Sequence, residues 1–296
     1  MAAVERSQGA RFAGATVGVI RDVASRPTGL VALVIIGVLL LAVAVGPLFV
    51  ADPAAQDIPR RLEGPSLEHP LGTDHLGRDL LARLVHGARI ALGVAVPAVV
   101  IAMIVGLLLG LAAGYLGGRV DSAVIVVTDA LQAFPAVILA LAILALLGPS
   151  LRNVVIVIAL GFAPGYARVA RASVFAIKQD VFVEAERSLG ASSRRIISVH
   201  ILPNVIAPML ILMAIDLPVA VTVEAGLSFL GLGVPPPNPS WGVILSDGFP
   251  RIREAPWPVI GAGVTLMVTT LGFTLLGESL RDRLDPRVRA ARRVRA

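Results

Sequence analysis

The chain has 296 residues, of which 56% are hydrophobic and 16% charged, well below the roughly 25% charge of soluble domains. Its mean hydropathy of +0.84 excludes an ordinary soluble globule and calls for several membrane spans. The net charge of +6 is carried by arginine, with Lys178 the only lysine; the arginines sit beside apolar runs, which fits orientation in a bilayer rather than binding of a nucleic-acid backbone, and the lack of cysteine removes disulfide, thiolate and iron–sulfur chemistry.

Residues 1–29 carry Arg6, Arg11, Arg21 and Arg26 against Glu5 and Asp22 and read as a cytoplasmic tail. Leu30 to Val50 is apolar throughout. It is too long for the roughly 7–15-residue core of a cleaved signal, so 30–50 is expected to be an anchor helix that runs outward with its basic flank inside. Residues 51–86 are polar and broken by Pro53, Pro59, Pro65 and Pro70, which suits an extracytoplasmic loop. Within it, in His69-Pro-Leu-Gly-Thr-Asp-His-Leu-Gly-Arg-Asp79, Gly72 and Gly77 supply tight turns and Asp74 and Asp79 can pair with Arg78 or Arg83. Whether this string contacts a partner or packs the outer face stays open.

Five further spans are expected within 87–280. The second, Ile90 to Tyr115, places Gly106, Gly110 and Gly114 on one face, a spacing that lets helices approach closely in lipid. The third, Val120 to Leu147, contains Asp129 and Gln132 and a kink at Pro135; the fourth, Val154 to Val174, kinks near Pro164. The fifth, Asn204 to Leu230, contains Asp216 and Glu224, about 80° apart around a helix. Carboxylates inside a membrane are functional candidates by default, so Asp216, Glu224 and Asp129 are candidate pathway residues, although Glu224 also fits the outer interface. Gly231 to Gly242 is held extended by its prolines, with Trp241 and Trp257 suited to the membrane–water boundary. The sixth span covers Pro258 to Leu280 with Glu278 at its inner end, and the arginine-rich tail 281–296 returns to the cytoplasm.

Between the fourth and fifth spans lies a charged stretch, 178–203, that cannot stay in lipid: Lys178, Asp180, Glu184, Glu186, Arg187, Arg194 and Arg195 would each cost about 2.5–3.5 kcal/mol to insert. A helix is expected over Val181 to Leu189, a turn at Gly190, and a new helix start at Ala191-Ser192-Ser193. Glu184-Ala185 with Gly190 six residues after the glutamate, then Ile201-Leu202-Pro203, resembles the EAA loop of ABC-importer permease subunits. Two departures stand out: Glu186 replaces the alanine of the third EAA position, and His200 stands where many members carry isoleucine. The outer string ending at Asp79, the Gly231–Gly242 segment, and Asp282 to Arg289 are similar to the dipeptide/oligopeptide/nickel branch, in its second, C-type subunit.

That resemblance implies an all-α, six-span type I ABC importer fold whose coupling helix docks on a cytoplasmic ATPase through Glu184, Ala185, Glu186, Leu189 and Gly190, with Leu202 and Pro203 as the rigid lead into the fifth span. It implies a homologous second permease subunit, two ATPase subunits that bind ATP and magnesium, an extracytoplasmic binding protein, surrounding lipid, and the cell membrane of a prokaryote with both termini inside. Peptides are the implied cargo, with nickel or haem as alternatives of the same importer type. This chain itself is expected to hold no nucleotide, because no phosphate-binding loop accommodates its single lysine, and no enzyme motif is present. His69, His75 and His86 as an outer metal site, and an ion-coupled secondary transporter using Asp129, Asp216 and Glu224, are the readings of other classes.

Overall fold

A computed structural model describes residues 23–284; most of both arginine-rich tails, including the Asp282–Arg289 resemblance beyond Leu284, lies outside the described residues. The first span is helix α1, Pro27–Ala44, not Leu30 to Val50. Proline is preorganised for a first helical turn, and Gly46-Pro47 breaks the helix into a short turn, Gly46–Leu48. Val34, Val38 and Leu41 are more than half exposed, so α1 is a peripheral helix. It rests on α9 (Trp257–Leu284), where the missing side chain of Gly272 makes room for Ile35.

α2 runs over Leu80–Leu116 and starts well before the expected Ile90. Asp79 explains the early start: its Oδ1 accepts from the Ala82 N–H at 2.7 Å, satisfying one of the free donors at the helix N-terminus. Leu80, Leu84, Ala88 and Ala91 then bury one face. α2 packs most extensively against α5, Leu151–Lys178. Gly106, Gly110 and Gly114 form the seam. An added Cβ would lie 2.3 Å from the Tyr166 Cβ at the first, 2.5 Å from the Ala170 Cβ at the second and 2.8 Å from the Val174 Cβ at the third. Gly106→Ala is therefore expected to destabilise the chain by about 1–3 kcal/mol through overpacking, read as a lowered melting temperature in detergent; Gly93→Ala, with open space around it, is the control.

The third span is broken rather than kinked. α3, Gly118–Gln132, and α4, Ala136–Leu147, meet at 86°. Pro135 disfavours helical geometry at Phe134 and cannot donate back along the helix, so α3 ends there. Two rungs tie α3 to α5: Arg171 to Asp121, with Nη2 to Oδ2 at 2.7 Å, and Arg168 to Asp129 at 3.3 Å. α6, Val181–Ser188, follows α5 almost directly. A wide, π-helical turn at Ile196–Ile201 then leads into α7, Leu202–Phe229. Pro203 accounts for the widening, since it has no N–H for the Val199 carbonyl and its ring would crowd that oxygen.

α7 ends with Gly231 in the left-handed region (φ 79°), the Leu232 N–H closing back on the Leu227 carbonyl at 3.0 Å. The proline-rich segment then delivers α8, Trp241–Gly248, capped by Ser240. Trp241 is fully buried and donates from Nε1 to the Leu84 carbonyl at 3.0 Å. It is a core residue joining α8 to α2, not an interfacial anchor; Trp257 is the half-exposed one. Among the described residues there is no strand. Among them, five helices are long and apolar enough to cross a membrane, six when α3 and α4 count as one broken span.

Candidate functional site

The charged loop is built from a short helix, a tight exit and a wide turn. On α6, Val183 is fully buried while Val181 is 82% and Leu189 84% exposed; Glu184 and Ala185 are exposed as well. An apolar and charged face is thus exposed by a helix whose Val183 is buried on the opposite side. The exit has the hydrogen bonds of a glycine-terminated helix: Gly190 N–H to the Arg187 carbonyl at 3.1 Å and Ala191 N–H to the Glu186 carbonyl at 3.0 Å, with Gly190 at φ 85°. Among the described residues, no atom beyond Gly190 and its two chain neighbours lies within 4 Å of the position a Gly190 Cβ would take. Ser192 caps the next turn through the Arg195 N–H at 3.4 Å. Ile196 and Ile201 are buried, Leu202 is half-buried and Pro203 exposed.

The three intramembrane carboxylates are not gathered into one cluster. Asp216 is half-buried on α7 beside Tyr166 of α5, whose side chain is fully buried. Glu224 is fully buried near the C-terminal end of α7, where its Oε1 accepts from the Ser228 hydroxyl at 2.7 Å; the Ser228 oxygen in turn receives the Val234 N–H at 3.3 Å. That chain of contacts fastens the turn at Val234 to α7. Asp129 is exposed on α3, paired with Arg168. A cleft of about 520 Å³ between α7 and α9 is lined by Thr222, Thr270, Thr274, Glu278 and Arg281. Sequence reasoning passed over this stripe, although Thr270, Thr274 and Glu278 recur every four residues on α9, the spacing of one helix face.

At the N-terminal end of α2, the 69–79 string is a folded ionic knot. Asp74 Oδ2 receives Arg78 Nε at 2.6 Å and lies 3.3 Å from Arg83 Nη1, while Asp247 of α8 lies 3.3 Å from Arg78 and 3.6 Å from Arg83. Arg83 is only 1% exposed. Asp79 pairs with His69 at 2.8 Å rather than with an arginine. The three histidines go to different places: His69 to Asp79, His86 to the Ala82 carbonyl, and His75 to the neighbourhood of Asp74 and Asp247. Burial lowers the His75 pKa below its ordinary value. A cation held by Asp74, His75 and Asp247 would have to displace two guanidinium groups that already neutralise those carboxylates, so this donor set fits the ionic knot better than a metal.

Long apolar helices joined by a short, exposed charged helix define a membrane protein, and residues 106–290 match the family of binding-protein-dependent transport system inner membrane components. The chain belongs to that family and is a multi-pass membrane protein. It is 42% identical over 262 residues to the dipeptide transport system permease protein DppC of Alkalihalophilus pseudofirmus, covering 88% of this chain and 86% of that one. It is 38% identical over 255 residues to the glutathione transport system permease protein GsiD of Escherichia coli, covering 85% and 84%. Among solved structures, a chain of the inward-facing MetNI methionine ABC transporter superposes with a TM-score of 0.55 at 19% identity, covering 68% of this chain and 96% of that one. The fold is accordingly that of ABC importer permeases.

Proposed function

We propose that this chain forms half of the translocation path of an ATP-driven importer for small peptides, paired with a homologous permease subunit and served by two ATPases and an extracytoplasmic binding protein. The observation that carries the coupling role is α6: a helix fixed to its own chain through Val183, ended by a left-handed glycine, with Glu184, Ala185 and Leu189 free to meet another protein. Two relatives named for dipeptide and glutathione transport favour a peptide cargo over nickel or haem. ATP and magnesium belong to the partner ATPases, and this chain is not itself an enzyme. The Arg26–Asp282 ion pair at 2.6 Å, joining the start of α1 to the end of α9, supports both termini lying on one side, and the arginines of the tails favour the cytoplasmic side of a prokaryotic plasma membrane.

Asp216, beside Tyr166, and the threonine stripe of α9 are our assignment for the polar lining of the path, while Glu224 braces its outer rim. In the reconstituted importer, Asp216→Asn is expected to lower dipeptide uptake about tenfold, the loss typical of one charge-assisted contact, while ATP hydrolysis is retained. The deciding experiment is uptake of labelled dipeptide by vesicles holding all subunits. Uptake that requires ATP and the binding protein supports the reading; uptake that survives ATP depletion but is lost to a protonophore overturns it in favour of an ion-coupled transporter.

A further inference from the structure

An eight-residue helix such as α6 is far too short to hold its shape or its angle alone, since isolated helices below about 12–15 residues are marginal in water. Its orientation must come from side-chain contacts, and three residues supply them. Val183 is buried in the bundle. Phe182 and Glu186, one turn apart, both face the imidazole of His200. The Phe182 and His200 ring centroids are 5.8 Å apart at 52°, and Glu186 Oε1 is 3.6 Å from His200 Nε2. That nitrogen is shielded from solvent and has no hydrogen-bond partner among the described residues, leaving Glu186 as its polar neighbour.

Position also matters here. His200 sits in the wide turn Ile196–Ile201, immediately before α7, and its carbonyl accepts the Asn204 side-chain amide at 2.7 Å. A contact between α6 and His200 is thus a contact between the loop helix and the root of α7, bypassing the exposed Gly190–Arg195 connection. Glu186 and His200 are also the two positions at which this loop departs from the pattern it resembles. The fold sets both departures side by side.

We infer that Glu186 and His200 are a matched pair of positioning residues that fixes the angle of α6 against the root of α7 and so sets how fully movement of α6 is passed into the bundle. The inference rests on α6 being the ATPase-docking helix. Removing one partner leaves the other without its complement in a half-buried place, whereas removing both lets apolar groups close the gap. The pair should therefore behave as a unit, with effects far from additive.

The test uses the complete importer in proteoliposomes and reads peptide translocated per ATP hydrolysed for Glu186→Ala, His200→Ile, the double variant, and His200→Gln, whose amide still reaches the carboxylate. Each of the two single changes is expected to lower the ratio about fivefold and the double variant to stay within about twofold of the unaltered protein. His200→Gln is expected to stay near the unaltered value. Single changes without effect, or a double variant whose loss is the product of the single losses, would overturn the pairing. Gly190→Trp in the same vesicles separates the two levels: uptake lost there but untouched by the pair variants overturns the pair alone, and uptake untouched by all of them overturns the docking role of α6.

Discussion

Replacing Gly190 with tryptophan is expected to abolish peptide uptake while leaving the chain folded in the membrane and extractable at normal yield. The two halves of that expectation have different causes. Gly190 adopts φ 85°, so any side chain strains the exit of α6 by about 1–2 kcal/mol; Gly190→Ala isolates this effect and should reduce uptake only partially. Among the described residues, nothing beyond the chain neighbours approaches the Cβ position, so the first carbon of a side chain there meets open space. The bulk of an indole lies on the exposed side, beside Leu189, where the ATPase is proposed to dock. Uptake by the tryptophan variant equal to that of the alanine variant would show that strain alone matters at this position and that the docking surface lies elsewhere.

The second large effect is expected at the ionic knot that precedes α2. Asp74→Ala removes the carboxylate shared by Arg78 and Arg83 and leaves Asp247 to balance two buried guanidinium groups. Breaking a buried ion pair from one side typically destabilises by about 3–5 kcal/mol. Asp74 also accepts the Leu76 and Arg78 N–H groups at 2.8 and 3.0 Å, so the turn that leads into α2 loses its brace as well. The expected readout is a sharp fall in the melting temperature of the detergent-solubilised protein and in its membrane yield. Asp79→Ala, which removes a helix cap and the His69 contact, should fall less, by about 1–2 kcal/mol. Equal stability of the Asp74 variant and the unaltered protein would show that the knot is dispensable for folding.

What the sequence discloses about this fold tracks how local each signal is. The glycine seam is legible because three small residues at a spacing of four already define a helix face, and α6 with its exit is legible because Gly190 and the charged run around it are contiguous. The break of the third span was only half legible: Pro135 announces an interruption, but the 86° turn depends on what α3 and α4 each pack against. Trp241 misleads for the opposite reason. A tryptophan beside a proline-rich outer segment looks interfacial, and only the distant Leu84 carbonyl, 157 residues away, makes it a core residue. The Arg78–Asp247 contact, across 169 residues, is equally invisible in the chain order. Among the candidate pathway groups, charge marked Asp216, Glu224 and Asp129 alike, yet their surroundings divide them into a half-buried acid beside Tyr166, a buried brace and an exposed ion pair.

The seam between α2 and α5 carries a mechanical consequence. Where helices touch through side chains they can slide by exchanging rotamers, but at Gly106, Gly110 and Gly114 the opposing atoms include backbone of Ala163, Ala167 and Arg171, which has no rotamer to exchange. The two helices are therefore keyed together and must travel as one beam. Under the proposed function, the opening and closing of a path would fall to the elements hung on that beam, α4 beyond its break and α7 with α9, and displacement delivered at α6 would enter the beam through the two residues, Gln179 and Asp180, that separate it from α5.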